Sequence, residues 1–192
     1  MKNNPVIFLL LIFSFITGCS SVKVSSDFDP AVSFSGYQAY NWLPGAPKAT
    51  GDPRIDGNTL LQSRIRNAVD DELNFKGFKK AEAGKADFWI TFHVTLDQKT
   101  QIQTINSMNN YPYGWGGMYG GYYSNSALAG RDTFVYSYDE GSIIVDIIDA
   151  NTRKLLWRGT ATDQVHFSDK PEEKEQKISE AIKKLLETFP PQ

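Results

Sequence analysis

The sequence is short of the residues from which most reactive sites are built. Its 192 residues contain one cysteine and two histidines, His93 and His166. A lone cysteine excludes an internal disulfide framework and a thiolate-rich zinc cage. The two histidines lie far apart in the chain and read as ordinary sheet or loop residues, so no metal site is expected. There is no Gly-x-Ser-x-Gly elbow to carry a serine nucleophile. No glycine cluster lies between a strand and a helix, where a nucleotide phosphate would be cradled, and no cofactor is expected. Neither sign of charge dominates: 20 Lys and Arg stand against 22 Asp and Glu. A balance of that kind leaves no electrostatic footprint for nucleic acid. No apolar run reaches the roughly 20 residues that cross a bilayer as a helix.

What is present begins at the N-terminus. Met1-Lys2 supplies positive charge, and residues 6–16 form a short apolar stretch. A charged start, a short apolar core and then small residues is the layout of a secretory signal peptide. The only cysteine follows directly. Ile16-Thr17-Gly18-Cys19 resembles the lipobox of bacterial lipoproteins. That resemblance implies removal of residues 1–18, alkylation of the Cys19 thiol with diacylglycerol and acylation of the new amine. Two or more acyl chains anchor stably where one binds marginally. The first partner implied is therefore a membrane, through the lipid on Cys19. Ser20, in place of aspartate, implies the outer membrane if the host is Gram-negative, at its periplasmic face or the cell surface.

Residues 19–192 are long enough for one domain with a real core. Val22–Phe28 alternates apolar and polar residues as a half-buried strand does, and Tyr40–Leu43 reads as a second. Leu61, Ile65, Ala68, Val69 and Leu73 recur at helical spacing and predict a helix over about 57–76, with Asp56 and Asn58 as candidate N-caps. Gly77 suits its left-handed C′ position, with Phe78 folding back onto Leu73. Phe88–Leu96 alternates strongly, Ile143–Ile148 is apolar on both faces except at Asp146, and Leu155–Thr162 returns as its antiparallel partner. A last helix opens near Ser168–Glu173 and buries Ile178, Ala181, Ile182, Leu185, Leu186 and Phe189. This order predicts an α+β, two-layer sandwich: a mostly antiparallel sheet of about five strands with two amphipathic helices on one face.

Several blocks carry a more specific resemblance. "CSSVKVSSDFDP", "FSGYQAYNWLP", "ADFWITFHV", "IIVDIIDANTRKLLWRGTAT" and "PEEKEQKISEAIKKLLETFPP" resemble, in order, blocks of the bacterial lipoproteins with domain of unknown function 4136. The resemblance covers nearly all of the chain after Cys19. It implies a cell-envelope lipoprotein with an α/β body and brings no catalytic residues with it.

Two features bear on activity. Asp146 interrupts an apolar strand, and a buried carboxylate needs a partner. Arg158 on the next strand is the candidate, as a buried ion pair in preference to an acid–base device. The second is the Gly/Tyr-rich stretch at about 106–130. Between Thr100 and Gly130 there is no charged residue, and Tyr111, Tyr113, Trp115, Tyr119, Tyr122 and Tyr123 punctuate glycines. It reads either as a spacer too rich in glycine to pack or as a binding loop for an envelope glycan or protein partner. The function expected is a lipid-anchored, non-catalytic binding or assembly module near the membrane. The alternatives are a hydrolase of an envelope polymer and a passive structural lipoprotein. With a first strand from Val22, Ser20 and Ser21 are the whole tether, so the body is expected close to the bilayer.

Overall fold

The computed structural model describes residues 21–45, 49–82, 84–106, 131–167 and 169–191. Strands β1 (Lys23–Phe28), β2 (Ala39–Trp42), β3 (Lys79–Lys80), β4 (Phe88–Asn106), β5 (Arg131–Asp149) and β6 (Leu155–Val165) form one open sheet. Helix α1 (Thr59–Phe75) follows β2, and helix α2 (Pro171–Leu186) follows β6. The six strands lie in the order β1-β6-β5-β4-β2-β3. The class is α+β, as the sequence suggested. The sheet, however, is mixed and has one strand more than expected.

Both differences have physical causes. The chain leaves β2, runs through α1 and returns, so β2 pairs in parallel with both β3 and β4. A helix crossover is what joins parallel neighbours. β3 is two lysines at the sheet edge, paired with Ala39 and Tyr40. It has no apolar residue to announce it, and lysine is what an exposed edge favours.

The helices form where the apolar spacing places them. The Asn58 Oδ1 accepts from the Leu61 N–H at 3.0 Å and caps α1. Asp56 instead accepts from the Thr50 and Gly51 N–H groups and ties down the preceding loop. At the other end Gly77 takes φ +92°. The Phe78 N–H bonds to the Leu73 carbonyl and the Gly77 N–H to that of Asn74, both at 3.0 Å, which is the Schellman closure. At α2 the Glu173 carboxylate accepts from the Lys170 N–H. This is half of a capping box, because a lysine side chain has no acceptor to return.

One core joins the layers. Phe88, Ile90 and Phe92 of β4, Val145 and Ile147 of β5, and Trp157 and Ala161 of β6 share it with Ile65, Val69 and Leu73 of α1 and Ile182, Leu185 and Leu186 of α2. At the β5–β6 register shift both Leu156 and Trp157 are buried. An extra residue in one strand is what lets consecutive side chains do so. Asp70 of α1 pins the helix to the sheet edge. It receives the Tyr40 hydroxyl and the Trp42 indole N–H at 3.0 Å each, and Lys80 Nζ at 2.7 Å.

β4 and β5 both run past the core. β6 follows β5 only as far as the Asp139–Val165 pair. Beyond it, among the described residues, β4 and β5 pair with each other alone, out to Asn106–Arg131.

Candidate functional site

A concave region lies where β6 stops and the ribbon begins. A cavity of about 250 Å³ opens there between the N-terminal halves of α1 and α2, the middle of β4 and β5, and the end of β6. Ile55, Leu61, Val94, Leu96, Val165 and Ile178 give it apolar walls. Gly141 matters to its shape: a Cβ there would stand 2.6 Å from Val165 Cγ2, so only glycine lets that wall close.

Cations ring the opening. Arg54 is the most engaged. Its Nη2 lies 2.7 Å from Asp52 Oδ2, its Nη1 lies 3.5 Å from Asp139 of β5, and its guanidinium sits 5.2 Å from the Phe167 ring centroid. One side chain thereby joins the loop before α1, the ribbon base and the segment after β6. The Arg54 hydrogen bond holds the Asp52 carboxyl below its ordinary range. Lys177 Nζ donates to Asp169 at 2.6 Å and lowers that carboxyl likewise. Lys174 Nζ donates to the Phe167 carbonyl at 2.9 Å. Arg64 also lines the cavity and has no carboxylate partner among the described residues. Apolar walls beneath a rim of mixed charge can hold a small amphiphile and orient its polar end.

The chain joins the body at this same end. Val22 is buried, its carbonyl accepts from Lys184 Nζ at 2.9 Å, and Ser21 Oγ donates to Asp163 at 2.5 Å. Pairing with β6 begins at Lys23–Thr162. Cys19 itself and the aromatic residues Tyr111, Tyr113, Trp115, Tyr119, Tyr122 and Tyr123 lie outside the described residues.

Asp146 and Arg158 are elsewhere, side by side on β5 and β6 and on the sheet face turned away from the helices. Arg158 Nε and Nη2 donate to the two Asp146 oxygens at 2.6 and 2.7 Å. The carboxylate is buried and the guanidinium half exposed. Hydrogen bonding to Asp146 raises the Arg158 pKa further. His93 Nε2 stands 4.0 Å from Asp146 Oδ2. With both oxygens held by one guanidinium, the carboxylate is arranged as a structural anion. His166 lines the cavity, whereas His93 stands beside Asp146.

The cavity itself was not legible in the sequence, because its walls come from five separate segments. The signal in hindsight is that Leu61 and Arg64, and Lys174 and Ile178, each place an apolar and a basic residue one helical turn apart.

No curated protein matches the chain. Among solved structures it is similar to a PDZ domain protein from Parabacteroides distasonis ATCC 8503, at 12% identity and a TM-score of 0.53 over 89% of this chain. The chain spans 36% of that protein's length, and the likeness is one of fold alone. It also matches the PelC dodecamer from Paraburkholderia phytofirmans at 13% identity over 86% of this chain and 94% of that one, with a TM-score of 0.42, too loose to carry an argument. Residues 24–191 match the model of the family described as Domain of unknown function (DUF4136). The chain belongs to that family.

Proposed function

We propose that this DUF4136 protein is exported, anchored by lipid on Cys19, and works as a non-catalytic binding or assembly module held against a membrane. In a Gram-negative host that membrane is the outer membrane. The supporting observation is where the fold takes hold of the chain. Ser21 is already bonded to Asp163 and Val22 is already buried. Two residues after Cys19 span at most about 7 Å, so a lipid there keeps the body on the bilayer surface. The cavity lies at the same end and is the candidate ligand site, with apolar walls beneath a rim of mixed charge. An envelope glycan or protein is the candidate partner of residues 109–126.

The test is metabolic labelling with an alkyne analogue of palmitate, followed by fractionation. The wild-type chain is expected to be labelled and to sediment with membranes. Cys19→Ala is expected to lose the label and either become soluble or keep its leader. A Cys19→Ala chain that is still labelled and cleaved overturns the anchoring.

A further inference from the structure

We infer that the β4–β5 ribbon is a second membrane contact, lying along the headgroup layer of the bilayer that holds the anchor. The inference rests on the anchoring proposed above and adds a surface to it.

The ribbon poses a problem that the rest of the fold does not solve. From Gln98–Asp139 to Asn106–Arg131 it advances eight residue steps with no third strand among the described residues, or about 26 Å at a strand's usual rise. A two-stranded ribbon is marginal in water, and a strand with no neighbour among the described residues turns backbone N–H and C=O groups outward. The exposed side chains are apolar as well. Ile102 is 66% exposed and faces Val135, 62% exposed, directly across the ribbon, while Tyr136 is 51% exposed. Ile102 and Val135 share one face and Tyr136 lies on the other, since neighbours alternate. An element with exposed apolar side chains on one face and an exposed tyrosine on the other suits immersion more than contact on one side.

Charge falls away along the ribbon. At its base Lys99 pairs with Glu140 at 3.6 Å and Arg54 with Asp139 at 3.5 Å. Outward from Thr100 the sequence carries no charge until Arg131-Asp132, and Thr133–Tyr138 is again uncharged. Two tyrosines, Tyr136 and Tyr138, lie on the ribbon's second strand. Tyrosine and tryptophan are the side chains that membrane–water interfaces favour.

Geometry then chooses the occupant and the orientation. The tether point is level with the ribbon base: Ser21 bonds to Asp163, which pairs with Gly141, two residues from Asp139. A tether of at most about 7 Å is much shorter than a ribbon of about 26 Å. A ribbon starting beside the bilayer and directed into it would enter hydrocarbon, where outward-facing backbone groups have nothing to bond. Lying in the headgroup layer, the ribbon's edges meet water and lipid oxygens. A second copy of this chain, adding strands to the same edges, is the rival occupant.

The experiment uses the lipidated full chain in phosphatidylethanolamine–phosphatidylglycerol vesicles. Lipidation consumes the only native cysteine, so Ile102→Cys gives a unique site for an environment-sensitive fluorophore. Phe75→Cys, 86% exposed at the far end of α1, is the control. The label at 102 is expected to shift to the blue and to be quenched by lipids spin-labelled near the headgroup, and the label at 75 to be quenched far less. Equal weak quenching at both sites, in protein that floats with the vesicles, overturns the inference. So does a 102–102 disulfide between copies without quenching. Flotation reports the anchor separately. If the chain does not float, the anchoring fails, and the same labels in a Cys19→Ser background at saturating vesicles still decide the ribbon. In that background Ile102→Asp with Val135→Asp is expected to weaken vesicle binding by about tenfold or more, with the melting temperature unchanged because both side chains are exposed.

Discussion

Arg158 closes over Asp146 as a fork, Nε on one carboxylate oxygen and Nη2 on the other, at 2.6 and 2.7 Å. The two ends of this pair live in different surroundings: the Asp146 side chain is 5% exposed, the Arg158 side chain 49%. Arg158→Ala strands a buried carboxylate and is expected to cost about 1–3 kcal/mol, between the values for exposed and fully buried pairs. Adding Asp146→Ala to it should recover part of that loss. Urea unfolding of the single and double variants measures both. Additive losses would mean that the pair is not coupled.

Acid and alkali should attack the fold through one hydrogen bond. Tyr37 donates to Asp149 at 2.6 Å, and the Asn151 and Thr152 N–H groups donate to the same carboxylate. The Tyr37 hydrogen bond, with those from the turn, holds Asp149 down to about 2. The same hydrogen bond to Asp149, with burial, pushes Tyr37 up to about 12. The Asp149 contribution is complete above the unfolded carboxyl's pKa of about 3.9 and is lost as pH falls through about 2. The Tyr37 contribution is complete below the phenol's ordinary value of about 10 and is lost as pH rises through about 12. Melting temperatures should therefore decline at both extremes. Asp149→Asn should flatten the acid decline, and Tyr37→Phe the alkaline one.

Gly159 is a packing residue. A Cβ there would lie 2.6 Å from Leu185 Cδ1 and 2.8 Å from Trp157 Cζ2. Gly159→Ala is expected to destabilise by about 1–3 kcal/mol through overpacking. Leu185→Ala in the same chain opens the space, so the double variant should lose less than the two single losses added together. Thermal unfolding of all three decides it.

Gly77 ends α1 at φ +92°, with open space where a side chain would go. Gly77→Ala should therefore cost about 1–2 kcal/mol from backbone conformation alone. Asn58→Ala should cost about 1 kcal/mol by leaving the Leu61 N–H without its side-chain acceptor. The sites are at opposite ends of one helix and should add; helix content at partial denaturation by circular dichroism is the readout.

The parts legible in advance were those with a strong period or a strong local signal. The stripe Leu61–Leu73 and the glycine at 77 wrote α1 into the sequence, and the alternation from Phe88 wrote the first half of β4. The second half escaped because Gln98–Gln101 has no apolar face, and only pairing with β5 makes it a strand. The parallel place of β2 escaped because hydrophobic spacing reports which face is buried and is silent on strand direction. β3 escaped because two edge lysines bury nothing. The cavity escaped because no local pattern brings Arg54, Val94, Gly141 and Ile178 together.

One edge of the sheet joins the first strand to the last: β1, made first, has β6 as its neighbour, with Lys23 opposite Thr162. Local pairs such as β5 and β6, joined by the short turn after Asp149, can form as soon as both strands exist. β1 cannot. It must wait for almost the whole chain, its Val22 and Val24 uncovered, while the loop that joins it to its partner spans most of the protein. A truncation before Leu155 therefore leaves β1 without a partner however much of the middle has folded. Interrupted synthesis should expose this edge first, as a protease-sensitive N-terminus on an otherwise ordered fragment.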